Sequence, residues 1–172
     1  SCKLPANRIA FMYQFTRFFQ LRRKMMQILM LRINPIKFAL YGIKLGKQPR
    51  ICNHVYLHVH PKSSVTIGDS FTMTSGENFN PLCRNIKGTI YAEREDTVIK
   101  IGNHVGMSST CLWAKREIII DDHVNIGGDC IIMDSDAHNL DWHVRDSGEM
   151  FDATTTMDVH TAACKPIHIG SH

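Results

Sequence analysis

His138 stands in the run Asp134-Ser135-Asp136-Ala137-His138-Asn139-Leu140-Asp141, an imidazole with two near carboxylates, Asp136 and Asp141. A neutral imidazole at about pH 7 can take the proton of a hydroxyl as that hydroxyl attacks an electrophile. A carboxylate bonded to the other ring nitrogen would fix the tautomer and steady the imidazolium, and both aspartates are candidates for that place. The same run also reads as a polar loop with no proton to move. His54, His58 and His60 form a second cluster, in which His58 and His60 share a strand face at a spacing compatible with metal ligation. Surface imidazoles are the commoner outcome for such a set, and no metal is expected. His104 and His123 read as solvated corner residues. The six cysteines, Cys2, Cys52, Cys83, Cys111, Cys130 and Cys164, contain no CxxC pair and no framework spacing. They imply neither a zinc finger nor a disulfide scaffold, and most are expected to be small buried hydrophobes in a reducing compartment.

The element that must position His138 is a repeat. Hexads run from Ile101 to Gly106, Met107 to Leu112 and Trp113 to Ile118, then, after the inserted Ile119, from Ile120 to Asn125, Ile126 to Ile131 and Ile132 to Ala137. Earlier units are visible at Ile51, Leu57, Ile67-Gly68 and Met73-Thr74, and another starts at Ile169-Gly170. A six-residue period means three short strands per coil, each with a large aliphatic pointing inward and a smaller inward position four residues later. Val105, Cys111, Val124 and Cys130 take that second slot. Gly68, Gly102, Gly127 and Gly170 follow the aliphatic, where close backbone approach or unusual dihedrals favour glycine. Three hexads plus Ile119 per coil would stack Ile120 over Ile101, Val124 over Val105, Ile126 over Met107 and Cys130 over Cys111, at about the 4.8 Å spacing of hydrogen-bonded strands. His138 falls just where the hexads stop, on an excursion around 133–168. Asn78-Phe79-Asn80-Pro81, on to Asn85, breaks the rhythm earlier and reads as a connection or a second loop. Trp113 falls on a large inward or cleft-lining position, and Trp142 follows the histidine run.

The fold class is therefore all-β with an N-terminal α-helical segment, residues 1–44, followed by a repeat domain, 45–172. Within the first segment, 6–33 reads as helix, with Phe11, Met12, Phe15, Phe18, Phe19, Met25, Met26, Leu29 and Ile33 at three-and-four spacing. Arg17, Arg23, Lys24 and Arg32 mostly lie off that stripe, while Arg22 falls within it. Asn34-Pro35 is expected to end the helix, because proline lacks the amide donor and restricts its neighbour. Capping the first coil is the more frequent role for such a helix in repeat folds; peripheral contact with a membrane surface is the alternative.

Charge is split along the chain. The net +4 of the 172 residues conceals twelve Lys or Arg and no acid in residues 1–68, against eight basic and sixteen acidic residues thereafter. The basic segment suits an anionic surface, or simply solvates the outside of a helix. No run of eighteen apolar residues and no secretory signal pattern is present, so the expected compartment is the cytoplasm, with peripheral membrane contact as an option.

These hexads closely resemble the bacterial hexapeptide-repeat transferases, above all the maltose and galactoside O-acetyltransferases and their exopolysaccharide-modifying relatives. The stretch from Ile101 to His172 carries the resemblance, through the Ile101–Gly106 hexad, Ile126-Gly127-Gly128, the His138 run, Ser147-Gly148-Glu149-Met150 and Lys165-Pro166-Ile167-His168-Ile169-Gly170. Weaker support extends back to about Leu45.

The resemblance implies a left-handed parallel β-helix, an exception to the right-handed rule for parallel crossovers. It also implies a homotrimer, with sites between subunits where the pantetheine arm of acetyl-CoA lies along the coil. The expected activity is transfer of an acetyl group from acetyl-CoA to a hydroxyl of a sugar or polysaccharide precursor, with His138 as general base. Asp141 ranks above Asp136 as its orienting acid, because similar loops often place an acid three residues after the histidine. Ser108 stands at a position where the galactoside enzymes carry a substrate-contacting asparagine, and Asn80 and Trp142 are further acceptor candidates. Lys165 is the basic residue offered for the cofactor. Similar enzymes continue beyond Gly170 with two further coils that supply much of the CoA-binding wall, so an open last coil, impaired activity and poor solubility without a covering chain are expected.

Two other readings differ in class. One is a non-catalytic trimeric scaffold that binds anionic surface through the N-terminal helix. The other is a metal enzyme like the γ-class carbonic anhydrases, a related β-helix group that binds zinc through histidines between subunits. Nucleic acid is not an expected partner.

Overall fold

The structure is a computed structural model that describes residues 6–76 and 86–171. The Asn78–Asn85 segment with the candidate Asn80 lies outside those residues, as do Cys2 and Cys83.

A helix, α1 (Ala6–Leu40), opens the chain. The first coil holds β1 (Lys44–Leu45), β2 (Arg50–Cys52) and β3 (Tyr56–Val59), and the second β4 (Ser64–Ile67), β5 (Thr72–Thr74) and β6 (Thr89–Ala92). The third holds β7 (Val98–Ile101), β8 (Gly106–Ser108) and β9 (Cys111–Ala114), and the fourth β10 (Glu117–Ile120), β11 (Asn125–Gly128) and β12 (Ile131–Met133). Two short helices follow, α2 (Trp142–Asp146) and α3 (Met157–His160), before β13 (Ile167–Ile169) rejoins the sheet of β10.

Every third strand pairs in parallel, giving three sheets ordered β1-β4-β7-β10-β13, β11-β8-β5-β2 and β12-β9-β6-β3. That connectivity is compatible with a three-sided parallel β-helix. Its core is the stack of inward aliphatics: Ile67, Ile101 and Ile120 lie in register, and so do Met73, Met107 and Ile126. Ile120 over Ile101 and Ile126 over Met107 are the pairs that the hexads specify.

The frame departs from the hexads at two places. Ser109 takes a positive φ of 44° at a buried corner, so the next strand starts early and puts Leu112 and Ala114 inside. Trp113 consequently projects outward, into a cleft shared with Thr89, Tyr91 and Cys111. The register then shifts between Ile126 and Gly128, which sets Ile131, not Cys130, opposite Cys111. Cys111, Cys130 and Cys164 are accordingly half-buried rather than core residues, and of the described cysteines only Cys52 is buried; all four are free thiols. Close approach explains two of the glycines after the aliphatic: a Cβ on Gly102 would sit 2.6 Å from the Asp122 amide nitrogen, and one on Gly68 2.7 Å from the Gly102 backbone, whereas Gly127 faces open space and Gly170 meets only Asp121 Oδ2 at 4.0 Å.

α1 does not stop at Asn34-Pro35. The break is overridden by tertiary contact, because Asn34 is buried and its Nδ2 donates to the carbonyls of Ile51 and Asn53 at 2.8 and 2.9 Å. One turn on, Phe38 is fully buried within the core of the first coil. The last turns of α1 therefore cap the coil, as repeat folds require of a terminal element.

Phe38→Ala is expected to cost about 3–5 kcal/mol of unfolding free energy by opening that capped end. Ile36→Ala, two residues away but 63% exposed, should change it by less than about 0.5 kcal/mol. Denaturant unfolding of the two variants checks the placement.

Candidate active site

The coil is left after Met133, and Asp134 makes the junction. Its buried carboxylate accepts three backbone N–H groups from the same corner of the preceding coil, those of Lys115, Arg116 and Glu117, each at 2.7 Å. Three such bonds satisfy amides that the corner leaves without a strand partner. The chain leaving and the chain returning are then tied together, by an antiparallel bridge between Ser135 and Cys164 and by the bonds Asp136 N–H to Ala163 O and Lys165 N–H to Asp134 O. Beyond them the backbone turns sharply. Ala137 has a positive φ of 61°, and the His138 N–H donates across it to Asp136 O at 2.7 Å. A non-glycine residue in that region is strained, and it persists only where its surroundings fix it.

The surroundings include Lys115, whose side chain is fully buried. Its Nζ donates to Ala137 O at 3.2 Å and Val159 O at 2.9 Å, and it pairs with Glu93 at 3.6 Å. Arg94 adds bonds from its guanidinium to Lys115 O and His160 O. Ala137 precedes His138 and Val159 follows Asp158, so one coil lysine fixes both backbones from beneath.

His138 and Asp158 meet above it. His138 Nδ1 lies 2.5 Å from Asp158 Oδ2, with the imidazole side chain 57% exposed and the carboxylate 10%. Asp158 occupies the first turn of α3, whose N-cap Thr156 accepts from Val159 N–H. Its other oxygen accepts the Asn139 N–H at 2.8 Å. The hydrogen bond with His138, helped by that of Asn139 and the charge of Arg145, holds the Asp158 carboxyl below its ordinary pKa. An ionised carboxylate only accepts, so the proton between the two groups belongs to His138 Nδ1. In a neutral ring so protonated Nε2 carries the lone pair, the arrangement a general base needs.

The carboxylate that meets the His138 ring is that of Asp158, not of Asp141 or Asp136. Asp141 is engaged elsewhere: it caps α2, with Oδ1 accepting from His143 N–H at 2.9 Å and lying 2.9 Å from His143 Nδ1. Asp136 is exposed and contributes backbone bonds to the turn. Trp142 is 61% exposed at the start of α2 and stacks on His143. Ser108 lies on the β5-β8-β11 face, where it accepts from Thr74 Oγ1 at 3.1 Å, a different face from that of β12, which leads into the loop. Lys165 is exposed and lines a cleft of about 400 Å³ with Met133, Asp134, Ser135, Asp136, Ala163, Cys164, Pro166 and Ile167. Asp158 and Lys115 were not among the expected site residues. Thr156 followed by an acid in the next turn is a helix-start signal, which marks α3 but not the role of its aspartate.

The second histidine cluster disperses. His58 stacks on Tyr91 with centroids 4.2 Å apart, and His60 Nδ1 accepts from Lys62 N–H. Among the described residues no group of three His, Cys, Asp or Glu is placed to hold a metal ion. His104 and His123 stack at successive corners, 4.9 Å apart.

Comparisons with family models, with curated proteins and with solved structures find no match for this chain.

Because the folded-state pKa of Asp158 is depressed, its contribution is complete above the unfolded value and is lost as pH falls through the folded one. The Asn139 amide resonance should therefore stay unchanged through the ordinary carboxylate range and move only in stronger acid. Asp158→Asn should abolish that movement; a wild-type midpoint at the ordinary aspartate value would contradict the assignment.

Proposed function

We propose that this chain is an acetyl-CoA-dependent O-acetyltransferase that acetylates a hydroxyl of a sugar or polysaccharide precursor, with His138 as general base and Asp158 as its orienting carboxylate. The observation that carries the reading is the pair itself: an exposed imidazole, backed by a nearly buried carboxylate, on a rigid excursion from a parallel coil whose hexads resemble those of such enzymes.

In this reading Nε2 takes the hydroxyl proton as the oxygen attacks the thioester carbonyl. The imidazolium, steadied by Asp158, returns that proton to the departing sulfur, so hydroxyl and thioester become ester and thiol. The cleft below the loop suits the donor: its apolar side chains fit a thin pantetheine arm, and Lys165 offers a cation to the anionic end. The donor supplies the activated acyl group; the chain's own residues orient the acceptor, hold the Nδ1 proton and expose Nε2. A left-handed coil and a homotrimer belong to the same proposal, and in a trimer the Ser108 face of one subunit becomes available to the loop of another.

Thiol release from acetyl-CoA, measured with a panel of sugars, tests it. His138→Ala should lower the rate at least about a thousandfold, and Asp158→Asn by about 10²–10⁴, as for orienting carboxylates in hydrolytic triads. Asp141→Ala should stay within about twofold, since its side-chain bonds are confined to α2. Undiminished release in His138→Ala would refute the mechanism.

A further inference from the structure

Met30, Asn34 and Phe38, four residues apart, define the side of α1 that meets the coil. At about 3.6 residues per turn, the opposite side carries Phe11, Phe18, Met25, Leu29 and Ile36, with Phe15 at its edge. All six are exposed, from 48% for Leu29 to 65% for Phe11. Every residue from Phe11 to Met26 is exposed, so this half of the helix stands clear of the coil that its last turns cap. The aromatic rings are gathered at its tip, where Phe11 stacks on Phe15, and Phe19 meets both Phe15 and Phe18 edge-on.

Exposed apolar surface of this extent marks a contact site, and charge decides the occupant. The helix carries Arg17, Arg22, Arg23, Lys24, Arg32 and Lys37 and no acid anywhere along its length. Packing two copies along the stripe would bring like charges together, with no carboxylate on either helix to neutralise them. Crossing a bilayer is not open to it, because no described helix is long and apolar enough. An anionic phospholipid surface satisfies both features: phenylalanines sink to the acyl boundary while arginines and lysines stay among the phosphates. We propose that the N-terminal half of α1 binds the surface of an anionic phospholipid bilayer in plane and so docks the coil on a membrane. The inference stands on the helix alone and is independent of the acyl-transfer reading.

Sedimentation of the full chain with vesicles tests it, comparing phosphatidylcholine alone with phosphatidylcholine containing phosphatidylserine. The chain should pellet with the second and remain largely in solution with the first, and raised salt should release it. Phe15→Ser/Phe18→Ser and Arg17→Glu/Lys24→Glu should each lower the partition coefficient by about tenfold or more. These positions lie off the capped end, so an unchanged unfolding midpoint separates lost docking from lost folding. The proposal is overturned if the wild-type chain stays in solution with phosphatidylserine vesicles, or if both double variants pellet as it does. Cross-linking of α1 between copies without vesicle binding would equally overturn it.

Discussion

The burial of Asp134 and Lys115 at one corner of the coil is the constraint on which the rest depends. A parallel coil satisfies its backbone by stacking each strand on the one before, and where a strand gives way to an excursion the amides of the preceding corner lose their partners. Asp134 replaces those partners with a single carboxylate that accepts three N–H bonds. Lys115, fully buried, completes the junction by donating to two carbonyls of the excursion. Buried polar groups are tolerated only when hydrogen-bonded, and here Asp134 has three amide donors while Lys115 has two carbonyl acceptors and Glu93 at 3.6 Å.

From that junction follows the geometry above it. The carbonyls held by Lys115 belong to Ala137 and Val159, the immediate neighbours of His138 and Asp158. Segments far apart along the chain are thereby fixed on one support, which brings the imidazole and its carboxylate together. The strained φ of Ala137 is stable for the same reason.

What the sequence made legible was whatever obeys a short period. The aliphatic ladder through Ile101, Ile120 and Ile126 could be placed because one large inward residue recurs at fixed intervals. Cys130 was framed differently because the irregularity at Gly128 changes the count by one residue without any change in composition, while Trp113 takes the second of its two expected placements, lining a cleft. Pro35 reads as a stop in isolation, yet the buried Asn34 bonds and Phe38 outweigh it. His138 was visible as the residue at which the rhythm breaks. Its partner was not: Asp158 comes from a helix twenty positions downstream, and two nearer aspartates answered the same description. A buried lysine is harder still to foresee, since lysine is ordinarily a surface residue.

The central claim is that Asp158 holds His138 in the tautomer with its proton on Nδ1, leaving Nε2 with the lone pair. Nitrogen-15 NMR of the protein labelled in its histidine rings measures this directly. A neutral His138 ring protonated at Nδ1, with a strongly downfield proton that disappears in Asp158→Asn, is the predicted result. A ring protonated at Nε2, or one whose spectrum is indifferent to Asp158→Asn, would contradict the account.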